Sequence, residues 1–206
     1  VTYQEIYDTV ISLTNHPELV AETATAVQAA TLRMHQTDFY ERDITEAKIV
    51  LEADGYIQQV DISGVFARYR SLKYLRKWNP TGADPFTQQL TGAAGPFLTI
   101  LNADQILDGY GLEKPNVAYI AGRMLNIRSN TVLRQLLAGW YQLPKVTPTT
   151  EYSSWIADTV PFAIIFDACS LIFQMIALQE QSRKFDSLVA EQAAMVKMHG
   201  IEMRGR

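Results

Sequence analysis

The stretch Val160-Pro-Phe-Ala-Ile-Ile-Phe-Asp-Ala-Cys-Ser-Leu-Ile-Phe-Gln-Met-Ile-Ala-Leu178 decides the architecture. It holds eleven large apolar residues: Val160, Phe162, Ile164, Ile165, Phe166, Leu171, Ile172, Phe173, Met175, Ile176 and Leu178. Burying each one fully is worth about 1.5–3 kcal/mol, so a helix apolar almost all round belongs at the centre of a helical body, in a subunit interface or in a membrane. The 17 residues from Phe162 to Leu178 fall short of a comfortable span and carry Asp167 near the middle. A carboxylate there costs about 2.5–3.5 kcal/mol on insertion. The reading is a buried helix whose Asp167 finds a partner, with no membrane.

Working outward, Ser153 or Ser154 is placed to cap the start of this helical block, about 152–199. After Glu180–Lys184, Phe185, Leu188, Val189, Gln192, Met195, Val196 and His199 repeat at helical spacing and form one sticky face. The chain also begins with helices, over about 2–36. Ile6, Val10 and Leu13 share a stripe, Asn15-His16-Pro17-Glu18 interrupts, and Pro17 suits the first turn of an Ala-rich second helix that admits close approach. Between these lies a block of different character, about 43–142. Ile44 to Leu51 and Tyr56 to Val60 read as strands around an Asp54-Gly55 turn, and Asn79–Pro85 and Gly92–Pro96 as loops. Asp104–Tyr110 reads as a short helix. Val117–Ile120, Met124–Ile127 and Val132–Tyr141 follow as strands, with turns at Gly122 and Ser129-Asn130. Short strands and tight turns predict an antiparallel meander. The fold class is α+β: residues 1–42 and 152–206 form a helical lobe, and 43–151 an inserted antiparallel β-rich lobe.

Composition excludes much else. In 206 residues, 48% hydrophobic and 19% charged, the chain has the make-up of a globular protein and buries roughly 70% of its unfolded surface without a staple. One cysteine, Cys169, excludes an intramolecular disulfide, fits a reducing compartment and reads as a small core residue. The opening VTYQEIYDTV shows no secretory signal. The net charge is −4, divided between residues 1–61 at −8 and 62–206 at +4; like subunits in a ring could use this to meet head to side, though a random scatter of surface charge is the commoner explanation.

Motifs for chemistry are absent. His16, His35 and His199 lack metal-ligand spacing, and His35, nearest to Asp38, reads as a helix-end histidine bonded to backbone. The serines lack a G-x-S-x-G context, and Gly92-Ala-Ala-Gly95 is followed by Pro96 and not by Lys-Ser/Thr. Glu41, Asp43 and Glu46 read as a solvated strand edge. No catalytic, metal or cofactor residue is assigned, and a hydrolytic or small-ligand enzyme is the least favoured class. The basic run Arg68, Arg70, Lys73, Arg76 and Lys77, interleaved with Phe66, Tyr69, Tyr74 and Trp78, has a nucleic-acid composition. A two-sided strand with inward aromatics and outward cations explains it more simply, and contact with an acidic neighbouring subunit lies between these readings.

The order of pieces resembles a known family. Asn15-His-Pro-Glu-Leu19, Met34-His-Gln-Thr-Asp-Phe-Tyr-Glu-Arg-Asp43, Tyr119-Ile-Ala-Gly-Arg-Met-Leu-Asn-Ile-Arg128, Trp140-Tyr-Gln-Leu-Pro144 and Ser153-Ser-Trp-Ile-Ala-Asp158 with Pro161–Ala168 carry the likeness. The chain resembles the head-to-tail adaptor (connector) proteins of tailed bacteriophages, of the tail tubular protein A type. The resemblance implies a non-enzymatic structural virion protein of the neck, assembled in the host cytoplasm as a ring, usually of twelve. Its partners would be the portal protein, a tail, nozzle or gateway protein, further copies of itself, and DNA passing through the channel without specific binding. It implies no catalytic residues and no cofactor. On that reading Phe185, Leu188, Val189, Met195, Val196, Arg204 and Arg206 face the portal or a neighbouring subunit, and the basic run lines the lumen or a subunit contact. The alternative is a nucleic-acid-binding module using residues 66–78.

Overall fold

The computed structural model describes residues 1–83, 90–106, 114–147 and 151–202. The chain divides into a helical unit, Val1–Asp43 with Leu143–Arg206, and a sheet unit, Ile44–Gln142. Helices and a sheet together make the protein α+β.

In the helical unit, α1 (Tyr3–Thr14) starts at a capping box. The Thr2 hydroxyl accepts from the Glu5 amide at 3.2 Å, and the Glu5 carboxylate accepts from the Thr2 amide at 2.8 Å. The helix α2 (Val20–Gln36) begins after Leu19, so Pro17 lies in the preceding turn and not in the first helical turn expected for it. Two further helices, α4 (Trp155–Thr159) and α5 (Pro161–Met175), precede the long α6 (Gln179–Glu202). The helix α5 touches α1, α2, α4 and α6, which explains its near-continuous apolar sequence. Its Ile164 and Ile172 join Ile6, Val10, Val27 and Ile156 in full burial, and Ala26 and Ala30 supply the small face of α2. Asp167 is buried and pairs with Arg33 at 3.2 Å. No helix among the described residues is long and apolar enough to cross a membrane. The helix α5 ends without glycine. Ala177 takes φ 61°, the Leu178 amide donates to the Phe173 carbonyl at 2.9 Å, and the Ala177 amide to that of Gln174 at 3.2 Å.

The sheet unit departs from the expected meander of short strands. Its strands are β1 (Ile44–Asp61), β2 (Tyr69–Ala83), β3 (Leu90–Ile100), β4 (Val117–Ala121) and β5 (Met124–Gln142), with a one-turn α3 (Ile62–Val65) between β1 and β2. The sheet order is β1-β5-β2-β3-β4, and β4 also pairs β5, so β5-β2-β3-β4 closes into a ring. Length explains this: the C-terminal part of β5 pairs β2 while Met124–Arg128 pair β4. All pairs are antiparallel except β3 with β4.

Gly122, at φ 61°, makes the expected turn between β4 and β5. Asp54-Gly55 and Ser129-Asn130, read as turns, both lie inside strands. Gly55 pairs Leu133 and Ile57 pairs Arg128, so Ser129-Asn130 falls in the stretch of β5 passed over at this register shift, while Asp54 falls in the preceding one, between Val50 and Gly55. Turn-forming residues here mark a bulge. The loops expected at 79–85 and Gly92–Pro96 are strand as far as Ala83 and from Leu90, with Asp84 and Pro85 outside the described residues. The helix expected over Asp104–Tyr110 is a single 3-10 turn, Ala103–Gln105, and 107–110 lie outside the described residues. Leu75, Leu125, Ile127, Leu133 and Leu136 form the core of this unit with Trp140.

Candidate functional site: a buried Ser-His-Asp relay

The best-organised cluster of polar side chains lies in the helical unit. His35 sits in the last turn of α2, Asp43 in the 3-10 turn Glu41–Asp43, and Ser154 at the N-cap of α4. His35 Nδ1 is 2.8 Å from Asp43 Oδ1, and His35 Nε2 is 2.9 Å from Ser154 Oγ. All three residues are buried. Hydrogen-bond bookkeeping orients the chain. In the tautomer that donates from Nδ1–H to the carboxylate oxygen, Nε2 accepts from the Ser154 hydroxyl. The serine oxygen in turn accepts from the Ala157 amide at 3.2 Å, capping α4.

Trp155 holds the acid in place. Its Nε1 donates to the same Asp43 oxygen at 2.8 Å, and its ring meets His35 and Tyr40 edge-on with centroids 5.8 and 5.1 Å apart. The Arg42 guanidinium lies 5.2 Å from the Trp155 ring centre. Asp43 Oδ2 is buried without a hydrogen-bond partner among the described residues, which raises the electrostatic stake on Oδ1. Asp43 is therefore no solvated strand edge, and His35 bonds the side chains of Asp43 and Ser154, where a bond to backbone was expected. The sequence order hides the relay, because the partners stand 8 and 119 positions from His35. Ser154's capping role was its one readable signal.

Other groups stand apart. Cys169 is fully buried in α5, and burial pushes its thiol up to about 12, so it is no thiolate nucleophile. Among the described residues no group of three or more His, Cys, Asp or Glu is placed to hold a metal.

The basic run does not form one row. Arg68 is exposed, in the left-handed region at φ 47° before β2. Arg70 is half-buried and Lys73 exposed, its Nζ 5.6 Å from the Tyr141 ring centre. Arg76 lies over Phe97 at 4.5 Å and donates to the Gly95 carbonyl at 3.0 Å. Lys77 is buried, donates to Asn130 Oδ1 at 2.6 Å and Thr131 Oγ1 at 3.1 Å, and burial pushes its ammonium down. On α6, Phe185 stacks on Phe173 and, with Val189 and Val196, packs into the helical unit's own core. Leu188 and Met195 are exposed, while Arg204 and Arg206 lie outside the described residues.

No protein-family model matches the chain. Among curated proteins it is similar to the imidazole glycerol phosphate synthase subunit HisH of Lactococcus lactis subsp. lactis (strain IL1403), 31% identical over 134 residues. The match takes in 63% of this chain, and the chain spans about 60% of the length of that relative. This similarity overturns the bacteriophage-adaptor expectation. The structural virion role with its portal, tail and DNA partners, the alternative nucleic-acid module and the non-enzymatic class all give way, because the matched protein is a subunit of a synthase.

Proposed function

We propose that this chain is a subunit of an enzyme, and that the Ser154–His35–Asp43 relay is its proton-transfer group, serving acyl transfer or hydrolysis. The observation that carries the reading is the order of bonds, hydroxyl to Nε2 and Nδ1 to carboxylate, which is the arrangement that activates a serine. The similarity to a synthase subunit supports the enzymatic class. In the step itself, Ser154 Oγ bonds to a carbonyl carbon as its proton moves to His35 Nε2. Asp43 stabilises the imidazolium through Nδ1–H, and His35 then returns the proton to the leaving group. Water releases the acyl group by the same route.

Ser154 is 4% exposed, so reaction requires the chain to open around the start of α4. That burial favours a second reading, in which the relay is a clasp joining α2, the Glu41–Asp43 turn and α4. One experiment separates them. Folded protein is treated with a fluorophosphonate and assayed on activated esters and amides. The relay reading expects modification at Ser154, located by peptide mass spectrometry, and turnover that falls at least about 100-fold in Ser154→Ala and His35→Ala. No label and no turnover, with Ser154→Ala changing thermal stability alone, overturns it in favour of the clasp.

A further inference from the structure

The sheet unit contains a cleft of about 430 Å³ whose lining includes no acidic side chain. Ile62, Phe66, Tyr69 and Ile120 form its apolar body, and Arg68 and Arg123 are its cations. That volume and mixture suit a small molecule. We infer that this cleft binds a small molecule with an anionic oxyacid head, carboxylate or phosphate, on an apolar body.

Three observations support a built site. First, the loop that carries Arg68 is fastened. The Ala67 carbonyl accepts from Trp140 Nε1 at 3.3 Å and from Gln142 Nε2 at 3.0 Å. Phe66 meets the Trp140 ring edge-on at 4.9 Å. Second, this fastening holds Arg68 at φ 47°. A glycine makes that turn without strain, whereas a residue with a Cβ is strained there, and here the strained position places a guanidinium on the cleft. Third, Arg123 follows Gly122 in the β4–β5 turn and is anchored from one side. It bonds the Ser63 hydroxyl and stands 3.6 Å from Asp61. Two cations thus line the cleft and one carboxylate, Asp61, stands beside Arg123, leaving a net positive rim. Guanidinium forks match carboxylate and phosphate oxygens, and the aromatic and aliphatic floor takes the remainder of the ligand.

The test is an amide chemical-shift titration of the whole protein with phenyl phosphate, 3-phenylpropionate and benzyl alcohol. Both anions are expected to shift Ser63, Gly122 and Arg123 amides saturably, and the tighter of the two assigns the head group. Benzyl alcohol is expected to bind at least about tenfold more weakly, the loss of about 1.4 kcal/mol of charge-assisted bonding. Arg68→Gly keeps the backbone conformation while removing the guanidinium, and Arg123→Gln removes the second. Each is expected to weaken the anions at least about threefold with the spectrum otherwise preserved. Equal binding of the alcohol and the anions, affinity unmoved in both variants, or no saturable shift with any of the three would overturn the inference.

Discussion

Asp167→Asn offers a test with a sign. The carboxylate is buried in the middle of α5, and burial pushes it up from 3.8 to about 6, with the Arg33 guanidinium pulling it down and Asp186 pushing it up. Its Oδ1 pairs with Arg33 at 3.2 Å, and its Oδ2 has no hydrogen-bond partner among the described residues. A carboxyl whose folded value is raised binds its proton more tightly in the native state than in the unfolded chain. Its contribution is therefore harmless below about pH 4 and becomes a penalty as pH rises through about 6. At 1.36 kcal/mol per unit, the penalty at neutral pH is about 3 kcal/mol. Asparagine keeps the shape and removes the charge, and Arg33, whose side chain is 54% exposed, stays hydrated without its partner.

The stability difference between the variant and the parent is then expected to move by about 3 kcal/mol in the variant's favour between pH 4 and pH 7.5. In a unit of this size that is roughly 10 °C in relative Tm, read by far-ultraviolet circular dichroism. The comparison of variant with parent at each pH cancels the titrating groups that do not interact with Asp167, leaving Asp186 as the coupled carboxylate. A difference that does not change with pH, or one that moves against the variant, would refute the reasoning and show that Arg33 outweighs desolvation at this site.

Gly139→Ala strikes the sheet unit. Gly139 is paired with Tyr74 across β5 and β2, and a Cβ there would stand 2.5 Å from the Tyr74 ring. The ring must move and loosen its bond to Glu46, so the expected cost is about 1–3 kcal/mol, measured as an earlier thermal transition in the variant. Cys169, with its thiol pushed up to about 12 and no exposed surface, is expected to react with Ellman's reagent at pH 8 about a thousandfold more slowly than an ordinary cysteine. Full reaction in guanidinium is the control, and rapid labelling of the native protein would contradict its placement in the core.

What the sequence alone determined is what one-dimensional period and volume can encode. The apolar run around Ile164 and Ile172 read as a buried helix, because a fully solvated one would leave too much apolar area in water, but whether its own lobe or a neighbouring subunit covers it was not written in the sequence. Ile6 and Val10 marked the inward stripe of α1, although Leu13, read on the same stripe, is exposed, and of the two candidate caps Ser153 and Ser154 it is Ser154 that starts α4. Stops and turns were less legible. The helix α5 ends on Ala177 in the left-handed region, with no glycine to announce it, because two backbone bonds hold the reversal. Asp54-Gly55 and Ser129-Asn130 carry turn chemistry, yet only cross-strand pairing decided that they fall at register shifts inside two long strands.

The candidate sites lay beyond reach for the same reason. A hydrogen bond needs atoms about 3 Å apart, and local spacing says nothing about residues 119 positions apart, as His35 and Ser154 are. The cleft beside Arg68 and Arg123 likewise exists because α3, the turn before β2, β4 and the β4–β5 turn converge. Periodicity reports which face of an element is buried. Which polar groups share that burial is settled when distant segments pack and most buried donors find their acceptors.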